Sequence, residues 1–141
     1  MKHPEAQLQK AVAQYLDLVL DKSVVWSAIG HGVNLGNSAR DRAIRGKMLK
    51  DMGVKPGVPD LVLCYWILRG VLSFQQTLWI ELKSTKGKQS EDQAIFSTKV
   101  EGLGHHYHIC RSLDDVIHVL RVCEVPVKSK RSPLYITMGR R

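Results

Sequence analysis

Two short segments hold residue types that together perform hydrolytic chemistry: Pro59-Asp60 and Glu81-Leu82-Lys83. Two carboxylates held a few ångströms apart repel one another, and the usual relief is a shared proton or a divalent cation. Magnesium suits such a pair, because it takes one or two carboxylates, keeps several waters and accepts phosphate oxygens as further ligands. A cation there would polarise a phosphodiester and lower the pKa of its bound water, while Lys83 would orient that water or neutralise the developing charge. The chemistry is that of a phosphodiesterase.

The two segments bracket an apolar run, Leu61 to Leu68, a turn at Arg69-Gly70 and a second strand-like stretch, Val71 to Leu82. This pattern predicts an antiparallel ribbon, in which the start of one strand lies beside the end of its partner, so Asp60 and Glu81 share one edge. Period-two alternation points Glu81 and Lys83 to one face and Leu82 to the core. The Leu61 to Leu68 run reads as a fully buried strand. Its neighbours Trp79, Ile80 and Leu82 make the surroundings of Glu81 and Lys83 apolar, and charge in such a setting needs a reason.

Further elements surround the ribbon. Leu8, Ala11, Val12, Tyr15, Leu16, Val19 and Leu20 recur at helical spacing after Pro4, with Glu5 in the first turn. Val24 to Ile29 reads as a short strand. The glycine-rich stretch 30 to 36, which contains His31, reads as a loop, and His31 as a loop histidine without a role. Asn37 or Ser38 caps a basic helix that runs to about Met52, with Gly53 as its stop. Pro56-Gly57-Val58-Pro59 is a rigid turn. Ser90 and Gln93 open a third helix, His106 to Cys110 is a strand, and Ser112-Leu113-Asp114-Asp115 caps a helix with Val116, Ile117, Val119 and Leu120 facing inward. The order α-β-α-β-β-α-β-α predicts an α/β fold with a mixed central sheet flanked by helices. Residues 1–123 read as one domain, and 124–141 as a basic tail that is expected to be partly disordered.

Pro59-Asp60 and Glu81-Leu82-Lys83 resemble the P-D…(D/E)-x-K signature of the restriction-endonuclease-like nucleases. Glu5, the Gly57-Val58-Pro59-Asp60-Leu61 turn, Ile80-Glu81-Leu82-Lys83, and Ser90 with Gln93 narrow the likeness to the VRR-NUC domain, the virus-type replication and repair nuclease. Cys110-Arg111-Ser112-Leu113-Asp114-Asp115 is similar to that family's C-terminal end, and the likeness covers about residues 5 to 120. The resemblance implies a restriction-endonuclease-like core in which Asp60, Glu81 and the backbone carbonyl of Leu82 hold Mg2+ or Mn2+. Lys83 would position the attacking water, Glu5 would approach the metal directly or through water, and Gln93 would support the site. It also implies an endonuclease for branched DNA, similar to Holliday-junction resolvases of bacteria and phages, acting as a homodimer without a nucleotide cofactor. Flap or nicking activity and non-catalytic DNA binding are the rival functions. Glu5 is equally explained by the helix dipole, and Gln93 by a capping box with Ser90.

Composition sets the frame. The chain has 141 residues, 44% hydrophobic and 24% charged, with Lys+Arg 21 against Asp+Glu 13 and a formal net charge of +8. A domain of this size buries roughly 68% of the surface of its unfolded chain and needs no disulfide or structural metal to fold. The positive excess favours a polyanionic partner. Arg40, Arg42, Arg45 and Lys47 on the basic helix, with Lys86 and Lys88 after the second strand, are the candidate DNA-backbone contacts. No aromatic residues interleave these cations, which argues against single-strand stacking. No apolar run reaches membrane-spanning length, and no charged start followed by an apolar core marks a signal peptide. Cys64, Cys110 and Cys123 read as buried thiols of a reducing, cytoplasmic protein. In the segment with His105, His106 and His108, no Cys or carboxylate lies at zinc-like spacing, so no zinc site is expected there.

Overall fold

The computed structural model describes residues 4–30 and 36–129. Residues 31–35 of the glycine loop, His31 among them, and the tail from residue 130 lie outside the described residues. The elements are α1 (Pro4–Val19), β1 (Val25–Ala28), α2 (Ala39–Asp51), β2 (Leu61–Arg69), β3 (Leu72–Leu82), α3 (Glu91–Gly102), β4 (His106–Cys110) and α4 (Leu113–Val122). Among the described residues the strands form one sheet in the order β1-β2-β3-β4. β1, β2 and β3 are antiparallel neighbours, while β4 joins β3 in parallel after the α3 crossover, so the sheet is mixed.

Alternation along the strands sorts side chains between two faces. Leu61, Leu63, Leu78, Ile80 and Leu82 are buried on one face, where Val12 and Leu16 of α1 and Val116, Val119 and Leu120 of α4 complete the core. Ile117 packs only half-buried beside them. The last turn of α1 is closed from a distance: Lys128 Nζ donates to the carbonyls of Asp17 and Leu18 at 3.3 and 3.2 Å, a cation meeting the negative end of a helix.

Among the described residues, the other face is covered by α3. Phe96 of α3 stands edge-on to Trp79 at 5.1 Å and tilted toward Tyr107 at 6.5 Å, aromatic contacts that anchor the helix across β3 and β4. This cover ends before the hairpin tip. Cys64, Trp66 and Leu68 on β2 are therefore exposed, so β2 is buried on one face rather than both, and Cys64 is not a buried thiol as Cys110 and Cys123 are. A strand running past the helix that covers it loses burial on that side only, and an apolar run does not reveal where its cover stops.

α2 buries none of its residues. Its N-terminus is nevertheless well defined: Ser38 Oγ accepts the Asp41 N–H at 3.0 Å and the Asp41 carboxylate accepts the Ser38 N–H at 3.0 Å, a reciprocal capping box. No helix among the described residues is long and apolar enough to cross a membrane.

Candidate active site

β2 and β3 pair with Leu61 opposite Ile80. One step outward along that register Asp60 faces Glu81, and one step further Pro59 faces Leu82. Both acidic side chains lie on the α3 side of the sheet, because they alternate with the core residues Leu61, Ile80 and Leu82. Asp60 turns back over the strand end, where its Oδ2 accepts the Leu82 N–H at 2.7 Å.

Pro59 matters here for what it lacks. The N–H and C=O of a strand residue point to the same side, and the N–H of Leu82 points at Asp60. Its carbonyl therefore faces the start of β2 as well, where proline offers no N–H to pair with it. The strand end presents two carboxylates and one main-chain carbonyl free of the ladder, an all-oxygen donor set. This set fits a hard divalent cation such as Mg2+ or Mn2+ and is a poor match for thiolate- or imidazole-preferring metals.

Glu81 is only 4% exposed. Its Oε1 accepts from Lys83 Nζ at 3.0 Å and from Gln93 Nε2 at 2.6 Å. Burial holds the Glu81 carboxyl above its ordinary range and the nearby Asp60 carboxylate adds to this, while Lys83 and Gln93 pull in the opposite direction. Folding therefore favours protonated Glu81. This group's contribution to stability is full below the unfolded glutamate pKa and is lost as pH rises through the folded value. In the metal-free protein, Glu81→Gln is thus expected to raise the melting temperature at neutral pH, with the two proteins converging below about pH 4, where both side chains are uncharged. Thermal melts with chelator across this range check it. A lower melting temperature for the variant at neutral pH would mean that the Lys83 contact outweighs burial.

Gln93 serves two neighbours with one amide. Its Oε1 accepts the Ser90 N–H at 2.9 Å and Ser90 Oγ accepts the Gln93 N–H at 3.2 Å, while its Nε2 reaches Glu81. The capping box thus orients the amide toward Glu81. Glu5 lies at the rim, where its exposed carboxylate accepts the Ser84 N–H at 3.0 Å, just past Lys83. Asp60, Glu81, Lys83 and Gln93 are brought together, and Glu5 is bonded to the backbone of Ser84, the residue after Lys83.

Arg111, to which the sequence reading attached no role, anchors the loop that follows Lys83. Its Nη1 donates to the carbonyls of Ser84 and Gly87 at 2.6 Å each, and its own N–H is held by Asp115 Oδ2 at 2.7 Å. The parallel pairing of Leu82 with Cys110 sets Arg111 beside Lys83, a placement visible only once β4 is known to be β3's neighbour. Lys86 and Lys88 are exposed on or just after this loop. On α2, Arg40, Arg42 and Lys47 are exposed and Arg45 half-buried. Arg42 Nη1 donates to the Asn37 carbonyl at 2.7 Å, and Lys47 pairs with Asp51 at 3.3 Å.

The histidine segment departs from expectation. His106 and His108 face the α1 and α4 side of the sheet, and Cys123, remote in sequence, comes to them: its Sγ lies 3.4 Å from His108 Nε2. Local spacing cannot reveal this contact, because α4 intervenes.

A mixed sheet with a helical crossover from β3 to β4, and acidic groups gathered where β2 begins and β3 ends, is the architecture of the restriction-endonuclease-like fold. A solved structure described as a VRR_NUC domain protein shares it, with a TM-score of 0.53 over 83% of this chain and 84% of that one at 20% identity. No family model and no curated protein matches the chain.

Proposed function

We propose that this protein is a metal-dependent DNA endonuclease that hydrolyses phosphodiester bonds in branched DNA, four-way junctions in particular, as a cytoplasmic homodimer. The observation that carries the reading is the convergence of Asp60, Glu81, Lys83 and the unladdered Leu82 carbonyl on one strand end. The fold shared with a VRR_NUC domain protein supports it.

Asp60, Glu81 and the Leu82 carbonyl would hold Mg2+ or Mn2+. Such an ion, when bound, supplies Lewis acidity toward a phosphate oxygen and a coordinated water of lowered pKa. The chain's own groups do the rest. Lys83, drawn in by Glu81, presents its ammonium where the attacking water and the developing phosphate charge would lie. Gln93 keeps the Glu81 carboxylate oriented, and Glu5 with Arg111 fixes the backbone just beyond Lys83. The exposed cations of α2 and the 86–88 segment provide phosphate contacts that set register without reading bases. A two-fold dimer would carry two equivalent sites, which suits paired incision of a junction.

The test compares four-way junctions, flaps, nicked duplex and linear duplex of one sequence, each incubated with Mg2+, Mn2+ or chelator. The expected outcome is metal-dependent, paired incision of the junction, absent with chelator. Cleavage of flaps at the same or greater rate replaces the substrate assignment. No cleavage of any substrate, with binding whose logarithmic salt slope is roughly −0.9 per phosphate neutralised, leaves a non-catalytic DNA-binding protein.

A further inference from the structure

The face of β4 turned away from the acidic cluster carries a second group of metal-ligating atoms. His106 and His108 alternate with Tyr107 and so project together, in register with Leu78 and Ile80 of β3. Glu81 pairs with Ile109, whose side chain lies on the opposite face. The two sites are therefore separated by the sheet itself. Cys123 caps the C-terminal end of α4 and is held there by its main chain: its N–H donates to the Val119 carbonyl at 2.9 Å and its carbonyl accepts from Tyr65 Oη at 2.7 Å.

The ligand atoms of His106, His108 and Cys123 lie within 4.8 Å of one another. Tetrahedral zinc, with Zn–N near 2.0–2.1 Å and Zn–S near 2.3 Å, places neighbouring ligand atoms about 3.5 Å apart. The His108 to Cys123 pair already stands at 3.4 Å, and no separation in the set exceeds 4.8 Å, so closure needs shifts of about an ångström. The donor chemistry differs from that of the acidic cluster. Two imidazoles and a thiol select zinc or its tetrahedral stand-in cobalt, where carboxylates and carbonyls select magnesium. We propose that His106, His108 and Cys123 form a zinc site that ties the end of α4 to the edge strand β4, independent of the nuclease reading. The two histidines also line an open cavity of about 400 Å³, from which water would supply a fourth ligand.

The protonation states of the ligands set what metal binding must displace. Burial, with His106 adding to it, keeps His108 below the ordinary histidine range and hence neutral with a free lone pair. Burial pushes the Cys123 thiol up to about 11, so without metal it stays protonated. Binding replaces the S–H bond by a Zn–S bond and releases one proton to solvent.

The test is cobalt titration of the full chain after removal of metals with chelator. One equivalent of Co2+ is expected to give the visible bands of a tetrahedral site together with a thiolate-to-cobalt charge-transfer band, both erased by one equivalent of Zn2+. Cys123→Ser should lose the charge-transfer band, and His106→Ala, a change at a half-buried position that leaves the core intact, should weaken cobalt binding at least tenfold. Cys64→Ser and Asp60→Asn should leave the spectrum unchanged. No tetrahedral spectrum at stoichiometric cobalt, a charge-transfer band that persists in Cys123→Ser, or His106→Ala binding cobalt as tightly as the wild type would each overturn the site.

Discussion

Asp60→Asn is expected to bind branched DNA as the wild type does and to lose metal-dependent cleavage on the order of a thousandfold or more. The substitution is chosen so that structure and chemistry separate. Asp60 holds the end of β3 by accepting the Leu82 N–H, and asparagine keeps an oxygen that accepts the same bond. What it removes is one of the two negative charges at the strand end, and with it the charge that attracts a hard cation. The melting temperature should move little, so a cleavage loss cannot be blamed on unfolding. Lys83→Ala should lose cleavage on a similar scale by another route, since the ammonium 3.0 Å from Glu81 is the cation that contacts the acidic pair among the described residues. Filter binding and single-turnover cleavage in Mg2+ and Mn2+ read both variants. Cleavage at wild-type rate by either one would remove the nuclease assignment.

How much of this was legible in the sequence depends on the range of the interactions involved. The helices, the ribbon turn and the caps follow from local signals: Ser38, Ser90 and Ser112 each cap the helix that their spacing predicts, because a cap is a contact within four residues. The opposition of Asp60 and Glu81 follows from a hairpin, also a local object whose register a short turn sets. Contacts that depend on how elements pack were out of reach. Arg111 reaches the 84–87 loop only because β4 lies parallel to β3, and Cys123 reaches His108 only because α4 folds back along the sheet. The exposure of Cys64 likewise depends on where α3 stops, which no property of β2 encodes. Sequence periodicity places residues on faces, whereas the cover on each face is decided by distant segments.

The turn that delivers Asp60 carries the strongest steric constraint in the site. Gly57 has φ +78, in the left-handed region that disfavours a side chain. A Cβ built there would overlap the carbonyl of Asp92 and lie 2.8 Å from the main-chain nitrogen of Gln93. The turn thus lies flush against the first turn of α3, with nothing between them. This contact sets the distance from the strand end carrying Asp60 to the helix carrying Gln93, and so the reach of the Gln93 amide to Glu81. Gly57→Ala must both adopt a strained backbone and push α3 outward. Strain and overpacking together are expected to cost about 3 kcal/mol and to lower the melting temperature by roughly 10 °C. Gly53 provides the control. It has a similar φ of +87, but a Cβ there meets nothing within 4 Å, so Gly53→Ala carries the backbone strain alone, on the order of 1 kcal/mol. At temperatures where both variants are folded, Gly57→Ala should also cleave more slowly, because α3 displaced by a few tenths of an ångström lengthens the 2.6 Å bond from Gln93 to Glu81, whereas Gly53→Ala should cleave as the wild type does. Equal destabilisation in the two variants would show that backbone conformation, and not the approach of the turn to α3, is what requires glycine at position 57.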